Sequence, residues 1–351
     1  MIKGVEFPKC ETMAATRKKS FVVRAQPSLW SIDPPLSTAS GPDNKRGAIE
    51  ALLDLNRHYR ENPWPAPFNA TEHRLHQGDA RDLSWIPDES VHLVVTSPPS
   101  WTSKEYRPLE QQMGAIEEYD LFLDELDKVW LESRRVLVPG GRICCVVGDV
   151  WVPRRKGRRH YIVPLHADIE VRARKNGLDC LTPILWFKTA HPAGEGPGSG
   201  SGFCGKPHQP GAVIKNDIEY VLFLRKGTDY RSPSTIQKVL SMLTKEEMQA
   251  WLRSAWTDIK GESNLRGHPE PFPEGLAERL VRLFSFAGDT VLDPLAGTGT
   301  TTVAAAAAGR NSIANEVDET YLDAARGRME EAIRHRHFSF FSVSVRTDDH
   351  G

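Results

Sequence analysis

Thr96-Ser97-Pro98-Pro99 follows the apolar run Leu93-Val94-Val95, and far downstream Asp293-Pro294-Leu295-Ala296-Gly297-Thr298-Gly299-Thr300 follows Val291-Leu292. Both read as a buried strand opening into a loop that can do chemistry. The first suits a planar amine. Such an amine is a poor nucleophile while its lone pair is delocalised into a ring, so its two N–H bonds need acceptors that pull the nitrogen toward tetrahedral geometry. Ser97 offers a hydroxyl and Pro98 a carbonyl, and the two prolines have no N–H of their own to compete. Trp101, with Tyr106 as second choice, can stack on a base turned out of a duplex. The second loop is a glycine turn between strand and helix, where a ligand can approach the backbone closely. Glu316 ends the next apolar run, a place where a carboxylate suits two ribose hydroxyls. Either loop alone also describes an ordinary tight turn. The glycine turn plus the acid favours a nucleoside cofactor without choosing which.

The elements around these loops read as α/β. Thr71 begins the regular pattern, with a strand over His73–His76 leading into Gly78-Asp79 and an apolar strand over Val91–Val95. Tyr119, Phe122, Leu123, Leu126, Val129 and Trp130 recur at helical spacing. Strands follow at Arg142–Val147, Pro183–Phe187 and Tyr220–Leu224, with a helix over His166–Lys175 closed by Asn176-Gly177. Further helices are expected at Pro273–Phe284, Thr301–Ala308 and Tyr321–Ile333, and strands at Thr290–Leu292 and Ser312–Ala314. Alternating strands and helices predict a largely parallel sheet covered on both faces. His191–Gly211 is dense in Gly, Pro and Ser, and Arg231–Asn264 is helical but interrupted. Ala48–Tyr59 suggests a short helix inside a poorly patterned start.

The chain has 351 residues, enough for a large core, and a net charge of -1, so as a whole it does not advertise nucleic-acid binding. Charge is uneven, however. Arg154, Arg155, Lys156, Arg158 and Arg159 place five fixed positive charges in six positions, which suits a phosphate backbone as well as a solvated loop. Cys10, Cys144, Cys145, Cys180 and Cys204 show no metal spacing and read as free thiols, with no metal expected. No apolar run approaches the roughly 20 residues that span a bilayer, and the start lacks a signal-peptide core, so a cytoplasmic protein is expected.

Ser-Pro-Pro after an apolar strand, with Asp-Pro-Leu-Ala-Gly-Thr-Gly-Thr-Thr downstream, resembles the DNA amino-methyltransferases, and catalytic motif first resembles their beta arrangement. The likeness runs from Thr71 to Ile333. It takes in Gly78-Asp79, Val138-Pro139-Gly140-Gly141, Trp186-Phe187-Lys188, Ile218-Glu219-Tyr220 and His268-Pro269-Glu270-Pro271-Phe272-Pro273. It implies a circularly permuted, Rossmann-like fold that uses S-adenosyl-L-methionine. Asp79 would take the cofactor's adenine amine and Glu316 its ribose. Asp293, Ala296, Gly297, Thr298, Gly299 and Thr300 would hold its methionine and ribose side, with His268, Pro269 and Phe272 closing over the methionyl end. Ser97, Pro98, Pro99 and Trp101 would hold the target. The implied division is an extension at 1–70, a catalytic half at 71–190, target recognition at 191–265, a cofactor half at 266–335 and a tail at 336–351. Lys206 joins the basic run as a phosphate contact; Lys188, Lys215 and Arg231 are further phosphate candidates, and His208 and Gln209 could reach base edges.

The sequence departs from the family pattern where Ser100 intervenes between the prolines and Trp101, where Leu295 replaces a common Phe, and where Asn315 precedes Glu316. Ser-Pro-Pro resembles the cytosine-N4 enzymes, against Asp-Pro-Pro-Tyr in adenine-N6 enzymes. Carbon-5 methylation is disfavoured, because no Pro-Cys pair is present. The implied partners are double-stranded DNA and a cognate restriction nuclease, the protein being a monomer or homodimer. RNA or protein-amide methylation, a nicotinamide oxidoreductase and an inactive DNA-binding module are the alternatives. The oxidoreductase leaves Ser-Pro-Pro unexplained. His160 and His166 stay outside the site, since a lone His is more often structural.

Overall fold

A computed structural model of the chain describes residues 20–23, 42–101, 109, 111–152, 161–188, 217–261, 273–334 and 340–347. Tyr106, Arg154, Arg155, Lys156, Arg158, Arg159, His160, Lys206, His208, Gln209, Lys215, His268, Pro269 and Phe272 lie outside the described residues, as do 191–211, Cys10 and Cys204.

The chain runs β1 (Ser20–Val23), α1 (Pro42–Glu61), β2 (Ala70–Gln77), β3 (Val91–Thr96), α2 (Tyr119–Val136), β4 (Leu137–Val147), β5 (Val150–Val152), β6 (Tyr161–Val163) and α3 (Leu165–Lys175). It continues through β7 (Leu178–Cys180), β8 (Ile184–Phe187), β9 (Ile218–Lys226), α4 (Thr235–Leu240), α5 (Lys245–Trp251) and β10 (Ala255–Trp256). Then come α6 (Glu274–Phe284), β11 (Thr290–Asp293), α7 (Thr300–Ala307), β12 (Asn311–Glu316), α8 (Glu319–Arg334) and β13 (Phe340–Thr347). One sheet orders the strands β1-β13-β2-β12-β11-β3-β4-β9-β8-β10, with β7 also paired to β9. From β13 to β4 every pairing is parallel, whereas β9 is antiparallel to both β4 and β8.

The central strands read as continuous apolar runs because both faces are covered. On β4, Ile143, Cys145 and Val147 pack with Phe122, Leu126 and Trp130 of α2 and Leu165 and Ile169 of α3. The alternate residues Cys144 and Val146 pack with Leu276, Leu280 and Val281 of α6 and Ala304 and Ala305 of α7. Cys144, Cys145 and Cys180 are free thiols, and burial pushes all three up. Among the described residues no helix is long and apolar enough to cross a membrane.

Several pieces without sequence periodicity are fixed by tertiary contacts. Asn56 of α1 donates to the Val239 carbonyl at 2.7 Å, and Trp64 and Phe68 sit against Gly309 and Gly288. The described part of 191–265 supplies β9 and β10 to the sheet and otherwise divides between its two ends. Gln237 and Ser241 bond the Ala287 backbone, and Arg231 is ion-paired to Asp289 at 2.6 Å, all at the amino ends of β11 and β12. Beyond β10 the chain turns toward the carboxyl ends, where Gly261 N donates to the Lys188 carbonyl and Lys188 itself pairs with Glu219.

Candidate active site

β3 and β11 are direct parallel neighbours, with Val291 opposite Leu93 and Leu292 opposite Val94. The Ser-Pro-Pro loop and the glycine loop therefore leave the same sheet edge side by side. From β3 the chain crosses through α2 to β4, and from β11 it crosses through α7 to β12 on the other side. The two loops therefore diverge at a topological switch point, where open α/β sheets bind ligands. A cleft of about 830 Å³, open mouth included, lies there. Its wall includes Asp79, Ser97, Pro98, Pro99, Ala296, Gly297, Thr298, Thr300 and Glu316.

On the glycine side, buried groups hold the loop in shape. Glu316 Oε2 accepts from Gly297 N at 2.7 Å and Oε1 from Asp318 N at 2.9 Å. Burial pushes this carboxyl up to about 7 despite those two donors. Asp293 lies behind the loop rather than on the cleft wall. It accepts from Thr301 Oγ1 at 2.7 Å and Leu295 N at 3.2 Å, and burial pushes it up to about 6. Arg328 of α8 reaches the same loop from outside, donating to the Thr298 carbonyl and to Thr300 Oγ1, both at 2.9 Å. Gly299 caps α7 at φ +77°, and a Cβ there would stand 2.7 Å from that of Ala325. Gly299→Ala is expected to displace the loop, lowering stability by about 1–3 kcal/mol and cofactor affinity about 10-fold; thermal melting and titration calorimetry measure both.

Asp79 accepts from Arg81 through both oxygens, at 2.9 Å from Nε and 2.5 Å from Nη2. Oδ1 also accepts from the Arg81 backbone N–H at 2.9 Å, and Arg81 Nε is shared between both oxygens, so a ligand amine reaching this carboxylate must take the place of an Arg81 contact. Asn315 donates to the Gly78 and Pro294 carbonyls at 3.0 and 3.2 Å, while its buried Oδ1 has no partner among the described residues. This leaves an acceptor at the cleft, beside two carboxylates and a glycine backbone, a donor and acceptor set that fits a nucleoside. Asn315, Gln112, Met113 and Tyr321 also line the cleft. None belongs to a motif; a 3₁₀ turn at Met113–Ala115 and the start of α8 bring the last two there.

Trp101 lies off the cleft wall. Its indole N–H donates to the Ile116 carbonyl at 2.9 Å and its ring meets Tyr119 edge-on at 5.0 Å. Its φ is +47°, a conformation costing a bulky residue on the order of 1–3 kcal/mol and usually held where function needs it.

A DNA methylase family model matches residues 91–327, spanning both loops and the strands that pair them. The chain belongs to the N6/N4 DNA methylase family. The type II methyltransferase M.MthZI of Methanothermobacter thermautotrophicus is 33% identical over 301 residues, 80% of this chain and 82% of that one. M.MjaI of Methanocaldococcus jannaschii is 37% identical, over 71% of this chain and 88% of that one. Among solved structures, TTHA0409 of Thermus thermophilus, crystallised with S-adenosyl-L-methionine, is 47% identical with a TM-score of 0.65, covering 80% of this chain and 100% of that one. The PvuII cytosine-N4-specific methyltransferase shares the fold at 21% identity and a TM-score of 0.52, over 76% of this chain and 92% of that one. S-adenosyl-L-methionine is the methylase's cofactor.

Proposed function

We propose that the methylase methylates the exocyclic N4 amine of cytosine in duplex DNA by direct in-line displacement, after the base is turned out of the helix. One observation carries this reading: Ser97 and Gly297 line a single cleft. The cofactor supplies, when bound, an electrophilic methyl group on a sulfonium centre. Glu316 takes the ribose hydroxyls, Asp79 the adenine amine, and Ala296, Gly297, Thr298, Gly299 and Thr300 the remainder, on a loop that Asp293 braces. His268, Pro269 and Phe272 are assigned the methionyl end from the family resemblance. Ser97 Oγ and the Pro98 carbonyl accept the target amine's hydrogens and free its lone pair, while Pro99 stiffens the loop. Trp101, though off the cleft wall, is assigned the stacking ring from the family resemblance, with Ile116 and Tyr119 fixing its orientation beside the loop.

The hydroxyl of Ser97, where adenine-N6 enzymes have a carboxylate, favours cytosine. The long span between the two motifs favours duplex DNA, with Arg154, Arg155, Lys156, Arg158, Arg159 and Lys206 on its phosphates. The names of the type II relatives support a cognate nuclease as partner. Incubating the protein with S-adenosyl-L-methionine and unmethylated genomic DNA, then analysing nucleosides by mass spectrometry, tests this. N4-methylcytosine is expected; N6-methyladenine alone overturns the base assignment.

A further inference from the structure

A histidine–carboxylate pair stands at the same sheet edge, one strand beyond Ser97. β4 pairs with β3 in parallel, Cys145 opposite Thr96, and ends at Val147 just before Gly148-Asp149. The β5–β6 hairpin then folds the chain back, Val150 opposite Val163, so Asp149 faces the segment that opens α3. There His166 Nδ1 donates to Asp149 Oδ1 at 2.5 Å, and its ring stacks on Tyr220 with centroids 3.7 Å and planes 7° apart. Tyr220 belongs here because β9 runs antiparallel to β4, placing it opposite Val147.

The Ser-Pro-Pro loop connects to this cluster through side chains. Trp101 meets Tyr119, and the Tyr119 hydroxyl donates at 2.8 Å to Asp168, two residues beyond His166 on α3. The groups facing His166 are Asp149 from the end of β4 and Tyr220 from β9, with Asp168 and Tyr119 next to them. Cys180 of β7 contacts α3 farther along, at the Glu170 carbonyl. His166 Nε2 makes no hydrogen bond among the described residues, and the side chain keeps 23% of its surface exposed. A carboxylate on Nδ1–H leaves Nε2 as the lone-pair nitrogen, the arrangement of a proton acceptor.

We propose that His166, oriented by Asp149, accepts the proton that the target amine loses during methyl transfer. The amine nitrogen forms its bond to the methyl carbon as the carbon–sulfur bond breaks, with that bond's electron pair staying on sulfur. One N–H proton passes to Nε2, the N–H electron pair returns to nitrogen, and the imidazolium then releases its proton to water. Asp149 is a positioning residue that fixes the tautomer and stabilises the imidazolium. The inference rests on the amine-methylation reading, but not on which base carries the amine.

The test uses the full chain, unmethylated genomic DNA and tritiated S-adenosyl-L-methionine saturating at every pH, so that the Glu316 dependence of cofactor binding drops out, in single turnovers across pH 5.5–9 (about the range in which an imidazole changes charge). His166→Asn keeps a donor toward Asp149 and removes Nε2. It is expected to slow transfer on the order of 100-fold and to abolish the acidic limb of the rate profile. Cofactor Kd by calorimetry and the melting temperature should stay at wild-type values. In His166→Ala, added imidazole should restore part of the rate. In Asp149→Asn, nitrogen-15 NMR should show the His166 tautomer released and the acidic limb displaced. A wild-type rate in His166→Asn overturns the proposal. So does a slow variant that keeps the limb while His166→Ala gains nothing from imidazole. If His166→Asn fails to fold, an undisplaced limb in Asp149→Asn overturns it. N6-methyladenine from the wild type would overturn the cytosine reading and leave these comparisons intact.

Discussion

Ser97→Ala is expected to bind S-adenosyl-L-methionine with wild-type affinity and to slow methyl transfer at least about 100-fold, the range for removing one oriented polar partner from a reacting group. Ser97 lines the cleft at the end of β3, and the assigned work of its hydroxyl comes only when the amine rehybridises. Alanine keeps the loop, since Pro98 and Pro99 fix the backbone on its far side. The effect should therefore fall on kcat rather than on cofactor Kd. Rapid-quench single turnovers and calorimetry separate the two, and wild-type turnover in this variant would remove Ser97 from its assigned role.

Glu316→Gln should weaken cofactor binding about 10- to 100-fold, the equivalent of roughly 1.5–3 kcal/mol for charged hydrogen bonds to two hydroxyls. In the cofactor-free protein burial raises this carboxyl from 4.5 to about 7. Cofactor affinity should therefore climb as pH rises through 7 in the wild type, because the carboxylate is the binding form, and should lose that dependence in the variant.

Folding stability moves the opposite way. A raised acid binds its proton more tightly folded than unfolded, so its contribution is complete below the unfolded value and lost as pH climbs to the folded one. Asp293, raised from 3.8 to about 6, adds a loss of the same sign. Buried His73, lowered from 6.5 to about 3, contributes with the opposite sign over much of this window, so the signature is a difference: the melting temperature of cofactor-free Glu316→Gln relative to that of the wild type should rise between pH 4.5 and 7. A difference between the two proteins that stays constant across this window would contradict the burial argument.

The cleft was legible in outline because its chemistry is concentrated in two short runs at strand ends. The strands Val91–Thr96 and Thr290–Asp293 and the helix Tyr119–Val136 follow directly from apolar runs and helical spacing. The β5–β6 hairpin, β7 and β10 were not legible. β5, β6 and β7 have 3 residues each and β10 has 2, too few for a periodic signal, whereas Phe341, Val343 and Val345 of β13 alternate with Ser342, Ser344 and Arg346, a strand pattern within the segment read above as a tail. Asn315 stands out in sequence only as a departure from pattern, yet it bridges Gly78 and Pro294 across the cleft. His166 reads in sequence as a lone histidine, because the hairpin that brings Asp149 to it has no motif.

By itself the sequence determined the reactive groups and the strand ends that carry them, because apolar runs and glycine or proline turns are local properties of the chain. Only the tertiary structure decided which strand ends meet. The parallel register of β3 on β11 places Ser97 and Gly297 on one cleft, and the return of β6 along β5 gives His166 its carboxylate. Those pairings are set by burying both faces of one twisted sheet, a condition that no segment satisfies alone.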